Sequence, residues 1–201
     1  AGADKVSINT AAIANPHLVT EGANVFGSQC IVLSIEARRA PDGRYECLTD
    51  NGRERTGRDA VHWAEEGARL GAGEILLTSV DSEGTGRGFD LELTRLISER
   101  VGVPVIASGG AGCAEHVRDA VLVGKADAVC VASILHYGSL EPMEHAEYVE
   151  EGNTDFLKRT IPVANRAAHN RRGIQPIRLP ELKRRLSSWG IAVRYGAGRL
   201  G

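Results

Sequence analysis

Gly71-Ala72-Gly73-Glu74-Ile75-Leu76-Leu77-Thr78-Ser79 runs into Asp81-Ser82-Glu83-Gly84-Thr85-Gly86-Arg87-Gly88, and a helical pattern follows from Leu91 to Arg100. An apolar run, a glycine-rich polar loop and an amphipathic stretch, in that order, make one βα unit. The unit recurs on both sides. Downstream, Val103 to Ala107 reads as a strand and Ser108-Gly109-Gly110-Ala111-Gly112 as its loop. Glu115 to Val123 reads as a helix, and Ala126 to Val131 as a strand closed by Ala132-Ser133. Upstream, Cys30 to Ile35 is almost continuously apolar, as in parallel sheets buried on both faces. The stretch Ala37 to Arg58 is polar, with a turn signal at Pro41-Asp42-Gly43 and a short hairpin strand at Tyr45 to Leu48; Asp59 to Leu70 reads as a helix stopped by Gly71. Val6 to Ile8 is the first strand, ended by Asn9-Thr10. Asn15 then caps a helix with Pro16 in its first position, and Gly27 ends it. Five strands alternating with helices predict an α/β fold around a parallel sheet.

An internal repeat refines this. Ala3-Asp4-Lys5-Val6-Ser7-Ile8-Asn9-Thr10 aligns with Ala126-Asp127-Ala128-Val129-Cys130-Val131-Ala132-Ser133, carrying the first strand onto the fifth. A fourfold step between equivalent strands fits a two-fold symmetric (β/α)8 TIM barrel, which typically takes ~250 residues. Five strands do not close such a barrel. The reading is one partial barrel domain over 1–201, with about three βα units expected to be absent on the N-terminal side. Leu179 to Trp189 reads as a last helix, and Gly138 to Ile174 is polar and irregular.

The bulk numbers fit a soluble globular protein and exclude other classes. There are 201 residues, 42% hydrophobic and 25% charged, with a net charge of −2. That balance lacks the basic footprint of a dedicated nucleic-acid binder. No apolar run approaches the ~20 residues of a membrane span, and no signal peptide is visible. Cys30, Cys47, Cys113 and Cys130 form no CxxC pair, which disfavours a zinc knuckle or disulfide scaffold and fits a reducing cytosol. His62, His116 and His136 have no metal-ligand spacing, and neither metal nor cofactor is expected.

In a barrel of this kind, the loops after the strands form the active face. Gly109-Gly110 reads either as a tight turn or as a place where backbone N–H groups approach a phosphate. Ala132-Ser133, opening a short helix at Ile134-Leu135-His136, is a second anion candidate, and the repeat makes Asn9-Thr10 a third. Anion sites on opposite flanks suggest a substrate with a phosphate at each end. Glu36, directly after a buried strand, is either a proton-transfer group at the barrel mouth or a loop carboxylate paired with Arg38 or Arg39. Asp81 and Glu83 are either acid/base groups or loop caps.

Residues 3–12, Phe26-Gly27-Ser28-Gln29-Cys30-Ile31-Val32, 71–79 and Ile106-Ala107-Ser108-Gly109-Gly110-Ala111-Gly112 closely resemble the cyclase subunits of imidazole glycerol phosphate synthases. The resemblance runs to His136 and resumes near 179–194. It implies a (βα)8 barrel entered at its fourth strand, with strands four to eight present and 138–174 as an insertion. It also implies a lyase of histidine biosynthesis that forms a heterodimer with a glutaminase (amidotransferase) subunit and acts on a bisphosphorylated aminoimidazole-carboxamide ribonucleotide. Carried over position by position, Asn9, Thr10, Thr78, Glu83, Gly84, Ser108, Gly109, Gly110, Ala132 and Ser133 line substrate and phosphates. Lys5 and Glu74 belong to a charged ammonia gate, and Asp4 faces the partner. Glu36 falls where the family carries a catalytic aspartate; a second family aspartate would lie before this chain, so the chain by itself is expected to lack turnover. Glu36 and Glu83 both stand where aspartate is expected. The Glu36 departure keeps open a barrel paralogue that works with an amidotransferase in surface-polysaccharide sugar biosynthesis, and a third reading is a truncated or inactive fragment that serves only as a partner-binding scaffold.

Overall fold

A computed structural model describes residues 2–139 and 173–194. Its strands are β1 (Val6–Ile8), β2 (Ile31–Arg39), β3 (Tyr45–Thr49), β4 (Glu54–Asp59), β5 (Glu74–Ser79), β6 (Val105–Ser108) and β7 (Ala128–Cys130). Its helices are α1 (Thr10–Ala14), α2 (His17–Phe26), α3 (Ala60–Leu70), α4 (Leu91–Ser98), α5 (Ala114–Leu122), α6 (Ser133–Ser139) and α7 (Leu179–Ser188). Most of the expected insertion over 138–174 lies outside the described residues.

All seven strands join one sheet. Strands β1, β2, β5, β6 and β7 pair in parallel in that order, so their carboxyl ends share one rim. The nine-residue β2 exceeds its neighbours and uses the extra length. Residues 31–33 pair with β1, while residues 36–39 pair antiparallel with β3 on the same flank. The β3–β4 hairpin therefore stands directly above β1. The full β4 strand was not expected. Its polar sequence, Glu54-Arg55-Thr56-Gly57-Arg58-Asp59, carries no apolar alternation because it pairs only with β3 and stays largely exposed.

The helices cover one face. Ile31, Leu33, Ile35 and Ala37 of β2 pack with Ile75 and Leu77 of β5, Val105 of β6, and Trp63 and Ala64 of α3. A second cluster joins Ala107 and Val117 to Ile134 of α6 and to Leu182 and Leu186 of α7. Gly67 of α3 has no room for a side chain, since a Cβ would stand 2.1 Å from Leu33 Cδ2. That contact sets how closely α3 lies on the sheet. Asp59 and Asp90 cap α3 and α4 by accepting from the backbone N–H groups of His62 and Leu93. Gly71 ends α3 in the left-handed conformation. The Asn15–Pro16 start shifts by one residue, with Pro16 at the cap and His17 first in the helix.

The expectation that Cys30 to Ile35 is buried on both faces holds for Ile31, Val32, Leu33 and Ile35, while Cys30 and Ser34 are half-buried, and it does not extend along the sheet. Burial alternates strictly in β5 and β6, with Ile75, Leu77, Ser79, Val105 and Ala107 buried and the residues between them half-exposed. Among the described residues, the inner face has no helix layer over it.

Candidate active site at the carboxyl rim

Register and the period of two place the inner-face residues. Glu36 lies beside Thr78, Thr78 beside Ser108, and Ser108 beside Cys130, so these four residues form a transverse row at the carboxyl rim. One step lower, Ser34 lies beside Leu76, Leu76 beside Ile106 and Ile106 beside Ala128; lower again, Ser7 lies beside Val32 and Val32 beside Glu74. Lys5 continues the same face of β1 and donates to the Glu74 carboxylate at the opposite rim. Asp4, beside it, is exposed.

The sequence-predicted residues gather in two places. Glu83, Gly84, Ser108, Gly109, Gly110, Ala132 and Ser133 line one cavity of about 320 Å³, together with Gly86, Cys130 and Ile174. That volume is at the lower end for a small-molecule site. Its walls are held by close backbone contacts. Gly88 N–H donates to Gly110 O at 2.8 Å, and Gln175 N–H donates to Gly112 O at 2.6 Å. A Cβ on Gly110, which has φ +100°, would meet Gly88 O at 2.1 Å. The loop carrying Glu83 thus lies against the Gly109–Gly110 turn because no side chain stands between them.

The second group is Asn9, Thr10 and Glu36. The Asn9 amide nitrogen donates to Glu36 Oε2 at 3.3 Å and to Leu48 O at 3.1 Å. Thr10 Oγ1 accepts from Asp50 N–H at 3.4 Å. Both contacts fasten the hairpin over the end of β1. The arginines offered as partners for Glu36 go elsewhere. Arg38 pairs with Asp81 at 3.3 Å, and Arg39 makes a two-pronged contact to Glu92 with both distances 3.0 Å. Asp81 also accepts from Arg39 N–H at 2.9 Å, so it anchors its loop to β2. Glu36 therefore faces the inner side with Asn9 as its hydrogen-bond donor, and Thr78 stands between the two groups in register.

Behind the rim, Tyr45 Oη donates to Asp90 Oδ1 at 3.1 Å, and Ser79 Oγ approaches Asp90 Oδ2 at 3.5 Å. Burial first, then the Asp90 charge, pushes the Tyr45 phenol well above its ordinary range and keeps it a neutral donor. Cys47, opposite Ala37, is pushed up to about 12 by burial and acts as a small apolar side chain.

Sequence reasoning passed over Cys130, Gly86, Ile174 and the Leu48 carbonyl. Cys130 had a usable signal, because the repeat makes it the counterpart of Ser7 on the inner face. Gly86 had its place in the glycine-rich loop. Ile174 and Leu48 reach the site from distant segments and carried no local signal.

The protein-family model described as "Histidine biosynthesis protein" matches residues 1–141. The imidazole glycerol phosphate synthase subunit HisF of Bacillus licheniformis is 56% identical over 152 residues, covering 75% of this chain and 60% of the relative. The subunit of the same name from Thermosynechococcus vestitus is 54% identical over 156 residues, covering 75% of this chain and 56% of the relative. The chain thus spans less than two thirds of the length of these curated relatives.

Proposed function

The chain belongs to the histidine biosynthesis protein family, and from that premise we propose that it is part of a cyclase-type lyase. In this reading its five parallel strands are strands four to eight of a (β/α)8 barrel. The reaction joins ammonia to a bisphosphorylated aminoimidazole-carboxamide ribonucleotide. It releases imidazole glycerol phosphate and aminoimidazole carboxamide ribotide. The names of the relatives support the synthase reading over the sugar-amidating paralogue.

The observation that carries the proposal is the inner face itself. It is polar at both rims, from the Lys5–Glu74 pair at one end to Glu36, Thr78 and Ser108 at the other. That arrangement suits a small nucleophile that enters at the amino rim and reacts at the carboxyl rim. A glutaminase subunit docked over Asp4, Lys5 and Glu74 would supply the ammonia. Gly84, Gly109, Gly110, Ala132 and Ser133 offer backbone and hydroxyl donors to one phosphate. Thr10 lies at the opposite flank, toward the second. Glu36 then serves as general acid or base for ring closure and elimination.

The test uses the full-length protein with ammonium as nitrogen donor and imidazole glycerol phosphate as the measured product. Glu36→Gln is expected to lower kcat by about 10²- to 10⁴-fold with KM nearly unchanged, since the phosphate grips are separate from it. Glu36→Asp is expected to hold or raise turnover. An unchanged kcat in Glu36→Gln would remove Glu36 from the chemistry, and absence of product from the unaltered enzyme would end the synthase reading.

A further inference from the structure

Asn9 was expected to line substrate and phosphate, but its side-chain nitrogen is already committed. The amide nitrogen faces two acceptors, Glu36 Oε2 at 3.3 Å and Leu48 O at 3.1 Å. Those acceptors fix the orientation of the amide, because a flipped group would set its own oxygen against both. The other end of the amide pays for this, since Asn9 Oδ1 is buried and has no partner among the described residues. A buried acceptor without a donor costs free energy, and such a group calls for a reason. Leu48 is the residue directly opposite Glu36 in the β2–β3 ladder. One amide thus bridges the carboxylate of Glu36 and the carbonyl of its cross-strand neighbour, from the end of a third strand, β1.

We propose that Asn9 is a positioning residue that holds the Glu36 carboxylate at the rim, rather than a phosphate ligand. The proposal rests on the role of Glu36 given above and adds what aims it. Glu36 has three side-chain torsions and no ion pair among the described residues, so a fixed donor limits where its carboxylate points. An amide suits this place, because no other uncharged side chain of that length donates two hydrogen bonds from one nitrogen. The leucine side chain has nearly the same shape and neither donor. Serine is smaller and keeps one donor.

Two measurements test this in the full-length protein. In turnover with ammonium, Asn9→Leu is expected to lower kcat about 10- to 100-fold, the scale of a misplaced catalytic group, with KM within about threefold. Asn9→Ser should fall between the two. Added to Glu36→Gln, Asn9→Leu should cause no further loss, because residues acting through one another are not additive. A KM rise of tenfold or more at unchanged kcat, or a full extra loss in the double variant, would overturn the proposal. The second measurement needs no activity. In a ¹⁵N correlation spectrum of the unaltered protein, the Asn9 side-chain NH₂ pair is expected to move on Glu36→Gln and to stay in place on saturation with inorganic phosphate. Movement with phosphate but not with Glu36→Gln would return Asn9 to the substrate-binding set. If the unaltered enzyme makes no product while the NH₂ pair still responds to Glu36→Gln, the synthase reading fails and the Asn9–Glu36 link stands.

Discussion

On one face of β2 stand Ile31, Leu33, Ile35 and Ala37, all buried against α3 and its neighbours. On the other stand Val32, Ser34 and Glu36, of which Ser34 and Glu36 are only half-buried. Successive residues of one strand therefore live in different chemical surroundings. The outer residues are held by contacts on all sides, so removing atoms leaves a cavity. The inner ones are held by register and by a few hydrogen bonds. Changes on the first face should register as lost stability, and changes on the second as lost chemistry.

The sharpest break in that comparison would come from Trp63, the largest fully buried side chain of the outer layer, over whose ring Arg58 lies at 4.0 Å. Trp63→Ala is expected to cost about 3–5 kcal/mol in urea unfolding. Ser34→Ala, on the inner face of the adjacent strand, is expected to stay within about 0.5 kcal/mol. Similar costs for the two would mean that the inner face is packed as tightly as the outer.

Gly110 lies where the faces meet, and Gly43 sharpens it as a control. Both have positive φ, +100° and +86°, but a Cβ on Gly43 meets nothing within 4 Å, while one on Gly110 stands 2.1 Å from Gly88 O. Gly43→Ala carries backbone strain alone. Gly110→Ala should cost about 1–3 kcal/mol more in the same unfolding measurement, because a neighbouring carbonyl must move. It should also weaken inorganic phosphate binding, which Gly43→Ala leaves alone. Below these comes the cap on α4. Asp90→Ala is expected to cost about 1 kcal/mol, by loss of the Leu93 N–H acceptor together with the Tyr45 contact.

The sequence made the alternation of strands and helices readable because each βα unit is local, with its apolar run, glycine loop and amphipathic stretch adjacent. The loops that line the cavity followed from the same rule, since residues ending parallel strands share a rim. The hairpin was only half legible. Tyr45 to Leu48 has an apolar pattern because it packs on the core, whereas Glu54 to Asp59 has none because it is exposed. The partner of Glu36 was beyond local reading. Arg38 and Arg39 are near it in sequence, but Arg38 stands one two-residue step beyond the row and pairs with Asp81, Arg39 falls on the opposite face and pairs with Glu92, and Asn9 arrives from a separate strand. Chain proximity favoured the arginines, and sheet register decided for the asparagine.

The smallest expected effect concerns Cys47, which faces the outer core from the hairpin and is 1% exposed. A thiol in the unfolded chain ionises near 8.5, while burial pushes the Cys47 thiol up to about 12. Above about pH 8.5 the unfolded state therefore releases a proton that the folded state keeps. The corresponding stability is fully present below that pH and is lost as pH rises toward 12. Tyr45, raised by burial and by Asp90, adds a loss of the same sign that begins only near pH 10. Between about pH 8.5 and 10 the two can be separated. Urea midpoints of the unaltered protein should decline across that interval, and Cys47→Ala should reduce the decline, leaving the part due to Cys113, whose thiol burial also raises, with a small pH-independent offset from the lost sulfur. Tyr45→Phe should leave the interval unchanged and act above it. A decline that Cys47→Ala leaves undiminished, and that Cys113→Ala removes, would place water against the Cys47 thiol, and the hairpin would then belong with the half-open inner face rather than with the core.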